Sequence, residues 1–156
     1  MSIISFPILD CTTEEEFKKI FIDELVNGSL VFRGYKLNVL EDDFYHVCFE
    51  RGVGGAEKSD LGLRRSRRML IIKEMCNDSL PFKIIYQTER ENKSLCILFE
   101  ELETAVYLQP INTKSGKYLK LLTLVSFGEK VTKKIEKQRN QGEIIDDIEK
   151  VFLEAV

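Results

Sequence analysis

The chain has 156 residues, of which 44% are hydrophobic and 31% are charged, and its formal net charge is −3. This composition excludes an intrinsically disordered chain, and the small negative charge argues against a generally basic nucleic-acid binder. The length predicts a single domain over residues 1–156, with a core over about residues 12–128 and a C-terminal helical extension over residues 129–156.

The first residues lack the basic and apolar segments of a secretory signal, and no window is apolar enough to predict a membrane span. The four cysteines are widely separated, form no Cys-x-x-Cys pair and are accompanied by a single histidine. Zinc sites use clustered Cys and His ligands, so the sequence predicts no metal and no cofactor. Together these features predict a cytoplasmic protein with reduced cysteines.

The N-terminal part begins with a predicted helix. The run Thr12-Thr13-Glu14-Glu15-Glu16 offers a capping box in either of two registers, and apolar residues follow at helical spacing. Asn27-Gly28 is a typical end for this helix. The next segment, Leu30 to Leu40, is predicted to be extended or irregular. The segment from Phe44 to Phe49 follows two aspartates and is compatible with either a strand or a helix.

A glycine-rich loop is predicted between Arg51 and Gly62, which contains four glycines. Part of it resembles a phosphate-binding P-loop. However, Glu57 stands where that motif needs its second glycine, so nucleotide hydrolysis is not expected. A helix is predicted next, from about Leu63 to Cys76.

Four β-like segments follow, joined by polar connections of hairpin length. They are Phe82 to Thr88, Leu95 to Glu100, Thr104 to Gln109 and Tyr118 to Phe127. Two more helices are predicted after them, one from Gly128 to about Asn140 and one from Glu143 to Ala155. The predicted fold class is therefore α+β, with a four-stranded antiparallel meander sheet packed on N-terminal helices and two C-terminal helices.

Basic residues are concentrated between Arg51 and Lys73, where there are seven basic and two acidic residues. Four arginines stand at the start of the predicted helix, where positive charge opposes the helix dipole. On a helix Arg64, Arg67 and Arg68 lie on one side, and their planar guanidinium groups suit bidentate binding of a phosphate. The cluster predicts an anion site; a solvated helix face or salt bridges to the acidic C-terminal helix are the alternatives.

His46 is the only histidine in the chain. Histidine is the side-chain type whose ordinary pKa lies closest to neutrality, which suits it to proton transfer. Its neighbours in the sequence are mostly apolar, which also fits a buried core residue. Cleavage of RNA without a metal needs a proton-transfer group, a cation for the charge that develops on phosphorus, and hydrogen-bond donors.

The order of these features resembles the phage-associated Barnase–EndoU–colicin–RelE-like nucleases, a superfamily of small metal-independent ribonucleases and toxins. The resemblance covers roughly Leu37 to Phe127 and is carried by Asp43-Phe44-Tyr45-His46, the Arg-x-x-Arg helix and the last strand, Leu122-Thr123-Leu124-Val125-Ser126-Phe127. It implies an antiparallel sheet that holds the substrate on its open face. By position, the resemblance implies catalytic roles for His46, Arg64 or Arg68, and Thr123, and weaker roles for Tyr86 and Tyr118.

We therefore predict a metal-independent endoribonuclease or toxin-like phage effector that cleaves RNA, for example tRNA, through a 2′,3′-cyclic phosphate. His46 would transfer protons, and Arg64 and Arg68 would stabilise the pentavalent phosphorus. The predicted substrate-binding residues are Lys58, Arg65, Arg67, Lys73, Tyr86 and Tyr118. The alternative is a non-enzymatic interaction module that uses residues 51–73 to bind nucleic acid or an acidic protein partner, such as an immunity protein. Pairing of C-terminal helices between two copies is a third hypothesis.

Overall fold

A computed structural model describes residues 8–51, 58–87, 93–126 and 142–154. The strands are β1 Val31–Phe32, β2 Tyr35–Asn38, β3 Phe49–Arg51, β4 Lys58–Leu61, β5 Lys83–Gln87, β6 Ser94–Phe99, β7 Thr104–Thr113, β8 Gly116–Ser126 and β9 Gly142–Ile145. The helices are α1 Glu14–Ile20, α2 Asp43–Cys48, α3 Leu63–Ser66, α4 Ile71–Cys76 and α5 Glu149–Glu154. A π-helical segment, Phe21–Val26, continues α1, and a 3-10 turn, Glu100–Leu102, precedes β7.

The first helix begins at the capping box that the sequence predicted, in the second of its two registers. Thr13 Oγ1 accepts from the Glu16 backbone N–H, and the Glu16 carboxylate accepts from the Thr13 N–H. Phe17, Phe21 and Leu25 follow at intervals of four residues and are buried, so this face anchors the helical segment to the core.

Seven strands form one mixed sheet in the order β1-β2-β8-β7-β6-β5-β9, and β3 and β4 form a separate two-stranded ribbon. The structure is therefore α+β, but the predicted four-stranded antiparallel meander is wrong. Strands β5 to β8 pair antiparallel in chain order, as the short connections indicated. In addition, β2 pairs parallel to β8 and β9 pairs antiparallel to β5. These partners are distant in the sequence, so no hairpin-length connection indicates either pairing.

The prediction for the C-terminal part is wrong over Glu143–Ile145, which belongs to a strand instead of a helix. Ile145 faces the core and is 7% exposed, whereas Ile144 is 53% exposed, which is the alternation of a strand. Within the described residues after Gly142, helix is found from Glu149 to Glu154. The helix predicted between Gly128 and Asn140 lies outside the described residues.

The prediction of one continuous basic helix from Leu63 to Cys76 is also wrong. The structure has two short helices, α3 and α4, separated by residues 67–70. The Arg67 carbonyl accepts a hydrogen bond from the Leu9 backbone N–H at 3.0 Å, and bonds of the i to i+3 type, such as Ile71 N–H to the Arg68 carbonyl at 3.0 Å, follow it. The turn over residues 67–70 is wound more tightly than an α-helix, so the four arginines do not stand on one continuous helix.

The two faces of the sheet are covered to different extents. The inner face packs against the helices in a large cluster that includes Phe17, Phe44 and Ile72. The outer face carries a smaller buried cluster on β5, β6 and β7: Ile85, Cys96, Leu98, Ala105 and Tyr107. Leu122 and Val125 of β8 pack against this outer cluster, whereas Gly116, Lys117 and Lys120 near the start of β8 are exposed. In the described part of the chain, no helix has the length and apolar character needed to cross a membrane.

Candidate functional site

The segment that carries His46 is a helix, α2. Its N-terminal end is fixed by Asp43, which is 5% exposed and whose Oδ2 accepts a hydrogen bond from the Leu40 backbone N–H at 2.8 Å. Phe44 and Val47 are fully buried on its inner face. His46 therefore lies on the other side of a short amphipathic helix, and it is exposed rather than enclosed in the core.

The C-terminal end of α2 packs against the edge of β8, beyond the point where β2 ends. The last backbone carbonyls of a helix have no intrahelical hydrogen-bond donors. In α2, side chains from elsewhere in the chain donate to these carbonyls. Thr123 Oγ1 on β8 donates to the His46 carbonyl at 2.6 Å. Arg65 Nη1 donates to the Phe49 carbonyl at 3.0 Å and lies 3.5 Å from the His46 carbonyl. Thr123 and Arg65 thus hold the turn of α2 that carries the imidazole.

Arg64 is held against the end of the same strand. Its Nε donates to Ser126 Oγ at 2.6 Å, and its Nη2 donates to Glu103 Oε2 at 3.1 Å. Its side chain is 43% exposed. No acceptor for Nη1 is found in the part of the chain that the structure describes.

The other two arginines of the cluster point to different partners. Arg68 Nη1 donates to the Arg64 carbonyl at 2.9 Å, and Arg67 Nε donates to the Cys11 carbonyl at 3.3 Å. Burial lowers the pKa of Arg68, and the neighbouring positive charge of Arg64 lowers it further. Arg68 therefore lies beside Arg64, and Arg67 is bonded to the N-terminal segment; the predicted binding of a phosphate by these guanidinium groups stays a prediction.

Five of the predicted site residues are brought together around the last part of β8. They are His46, Arg64, Arg65, Arg68 and Thr123. Thr123 and Ser126, which contact His46 and Arg64 respectively, are three residues apart, roughly 10 Å along an extended strand. The residues come from α2, from α3 and the turn after it, and from β8, which are remote from one another in the sequence.

The remaining predicted residues lie elsewhere. Lys73 Nζ donates to Glu24 at 2.6 Å, and this hydrogen bond is the main reason why the pKa of Lys73 is raised. Tyr86 on β5 is 1% exposed, which leaves its ring out of reach of a substrate at the surface. Tyr118 lies near the opposite end of β8 from Ser126. The backbone of Lys58 belongs to β4, and its side chain lies outside the described part.

Three residues that the sequence did not single out complete the site. Ser126 stands three positions after Thr123, and this closeness in the sequence could have indicated that Ser126 belongs to the same site. Ser66 is fully buried between the arginines and donates to the Cys48 carbonyl at 3.1 Å. Glu103 ends the 3-10 turn with a positive φ of 53°, a left-handed conformation that glutamate rarely adopts. No residue-type pattern indicates such a position.

The arrangement offers an exposed histidine, a partly exposed guanidinium group and two hydroxyl groups. Such a set can transfer protons and stabilise negative charge on oxygen. Among the residues described, no three His, Cys, Asp or Glu side chains are grouped so that they could hold a metal ion.

Comparison with protein-family models, with curated proteins and with solved structures gives no significant match to this chain. The resemblance to the Barnase–EndoU–colicin–RelE-like nucleases therefore remains a prediction from the sequence.

Proposed function

We propose that this protein is an endoribonuclease that cleaves RNA without a metal ion, with its active site at the end of β8. The observation that supports it best is the common attachment of His46 and Arg64 to one short stretch of β8. His46 is exposed there, and the side chain of Arg64 is 43% exposed. A proton-transfer group on α2 and a cation on α3, both attached to the same strand, would supply two of the groups that the reaction needs.

In the proposed reaction the 2′-oxygen of a ribose attacks the adjacent phosphorus, and the bond from phosphorus to the 5′-oxygen breaks. The products are a 2′,3′-cyclic phosphate and a 5′-hydroxyl. His46 either takes the proton from the attacking 2′-hydroxyl or gives a proton to the leaving 5′-oxygen. Arg64 stabilises the charge on the phosphoryl oxygens through Nη1, while its other nitrogens stay bonded to Ser126 and Glu103.

The test is incubation of the purified protein with total tRNA in excess EDTA. We expect the wild type to cut the RNA and the His46→Ala variant to leave it intact. Loss of a cation that acts in the transition state lowers the rate by a factor of about 10²–10³. The rate of RNA cleavage by Arg64→Ala should therefore be lower than that of the wild type by this factor.

Arg33→Ala is the matched control for Arg64→Ala. Arg33 also forms an exposed ion pair, with Asp78 at 3.2 Å, but it does not contact β8. Both variants lose one surface pair, which contributes about 0–1 kcal/mol, so their stabilities should be similar. Equal rates for the two arginine variants would contradict the role of Arg64. Cleavage that persists in His46→Ala would contradict the proposal as a whole.

A second candidate is a non-enzymatic module that binds nucleic acid or an acidic protein through residues 51–73. The observation that favours it is that Arg65, Arg67 and Arg68 each donate to a backbone carbonyl. These bonds fix the positions of three positive charges along the segment. The strands β3 and β4 also pair with each other and not with the seven-stranded sheet. In the tRNA experiment this candidate predicts intact RNA that the protein retains in a salt-dependent manner.

A further inference from the structure

A groove lies at the other end of β8, where the turn from β7 meets β2. Its volume is about 280 Å³, close to the lower end of small-molecule pockets. The lining residues are Lys36, Asn38, Thr113, Ser115, Gly116, Lys117 and Tyr118. None of the contacts described above for His46 or Arg64 uses this groove, so it is a separate feature of the surface.

The parallel pairing of β2 with β8 places polar residues on one face of the sheet. Leu37 pairs with Leu119 in this ladder, and both side chains are buried in the core. Side chains alternate along a strand, so the residues on either side of these leucines point outward. On β2 they are Lys36 and Asn38, and on β8 they are Tyr118 and Lys120. Of these, Lys36, Asn38 and Tyr118 line the groove, and Lys117 lines it next to the turn.

The groove is lined by positively charged side chains. Lys36 and Lys117 are exposed, and Lys114 and Lys120 lie nearby on the turn and on β8. Within the ranges that the structure describes, none of these four lysines forms an ion pair. Four positive charges in a chain with a net charge of −3 make a local site for an anion.

The hydroxyl groups at the turn are ordered by local hydrogen bonds. Thr113 Oγ1 donates to the Gly116 carbonyl at 2.9 Å and lies 3.0 Å from Ser115 Oγ. Gly116 has a φ of +144°, so the close turn that brings Ser115 beside Lys117 depends on glycine at this position. The groove thus combines amino, amide and hydroxyl groups with a partly exposed aromatic ring, which are the groups that bind phosphates and a stacked base.

We propose that this groove is a subsite for single-stranded nucleic acid, in which Tyr118 stacks on a base and Lys36 and Lys117 contact the flanking phosphates. The inference rests on the proposed function, because it gives the cleaved RNA a second point of contact. Tyr118 and Thr123 are five residues apart on β8, roughly 16 Å, which lies within the reach of the 4–16 nucleotides that single-strand sites occupy.

The test is fluorescence anisotropy with a fluorescein-labelled 2′-O-methyl octauridylate, which lacks the 2′-hydroxyl and therefore binds without being cleaved. Binding is measured in a series of KCl concentrations. Each phosphate contact contributes about 0.7 to the slope of log affinity against log salt for single strands. We expect the double variant Lys36→Ala/Lys117→Ala to lose about 1.4 from that slope. Tyr118→Leu should weaken binding by about tenfold or more, whereas Tyr118→Phe keeps the ring and should bind like the wild type.

Lys19→Ala is the matched lysine control, since Lys19 is exposed on α1 and lies outside the groove. Circular dichroism establishes that each variant is folded, and Lys36→Ala and Lys117→Ala are measured singly if the double variant is not. An affinity and salt slope equal to those of Lys19→Ala would overturn the subsite, as would absence of binding by the wild type. If the wild type cuts tRNA while the groove variants bind normally, the subsite is wrong and the nuclease stands. If tRNA stays intact while binding depends on the groove, the subsite stands and the proposed nuclease activity is wrong.

Discussion

At the scale of single residues, the side chains of the site are used mainly to hold one another in place. Thr123 was predicted to be catalytic, but its hydroxyl donates to the His46 carbonyl at 2.6 Å. We therefore assign Thr123 a positioning role, in which it fixes the end of α2 against β8. The sequence predicted that Thr123 and His46 belong to one site. It could not indicate that the contact uses the backbone of His46, because a carbonyl is present at every residue.

Thr123→Val is expected to remove this hydrogen bond with little change of shape. The loss of one such bond costs about 1 kcal/mol, which lowers Tm by roughly 2–4 °C for a domain of this size. We expect RNA cleavage to fall by less than about tenfold, since the energy lost is small on the scale of a barrier. Thr123→Ser should retain both properties. Unchanged stability together with a rate loss of about 10²–10³ would indicate a direct role in the transition state instead.

At the scale of elements, local patterns predicted what is stabilised locally. The capping box of α1 and the antiparallel order of β5 to β8 depend on neighbours in the sequence, and both were found. The parallel pairing of β2 with β8 and the addition of β9 depend on contacts between remote segments. Ile144, Ile148 and Phe152 are spaced as on a helix, but pairing with β5 overrides that pattern up to Ile145. The predicted four-stranded sheet therefore lacked both of its edges.

Gly142→Ala tests the assignment of residues 142–145 to a strand. A Cβ atom at this position would lie 2.5 Å from the Tyr86 carbonyl oxygen, so β9 would have to move away from β5. We expect a loss of about 1–3 kcal/mol in the free energy of unfolding, measured by urea denaturation. If the helix began at Glu143 as predicted, Gly142 would stand before its first turn, and the substitution would change stability by about 1 kcal/mol or less. Glu143→Ala, on an exposed neighbour in the same strand, serves as the control and should change stability little.

At the scale of the whole molecule, β8 connects the functional features. It has eleven residues, lies between β2 and β7 in the sheet, and carries the candidate active site near Ser126 and the basic groove near Gly116. The chain as a whole has a net negative charge, so the proposed contact with RNA would be local and sensitive to salt. The distribution of charge along the sequence indicated a basic region between Arg51 and Lys73. It did not indicate the lysine groove, which is assembled from two distant segments.

The central claim is that the residues at the end of β8 catalyse attack by the 2′-hydroxyl, and mass spectrometry of the RNA ends tests it most directly. After incubation of tRNA with the wild-type protein in EDTA, we expect fragments that end in a 2′,3′-cyclic phosphate, each followed by a fragment with a 5′-hydroxyl. The His46→Ala variant should give none. Fragments with a 3′-hydroxyl and a 5′-phosphate, or tRNA that remains whole with the wild type, would contradict the account.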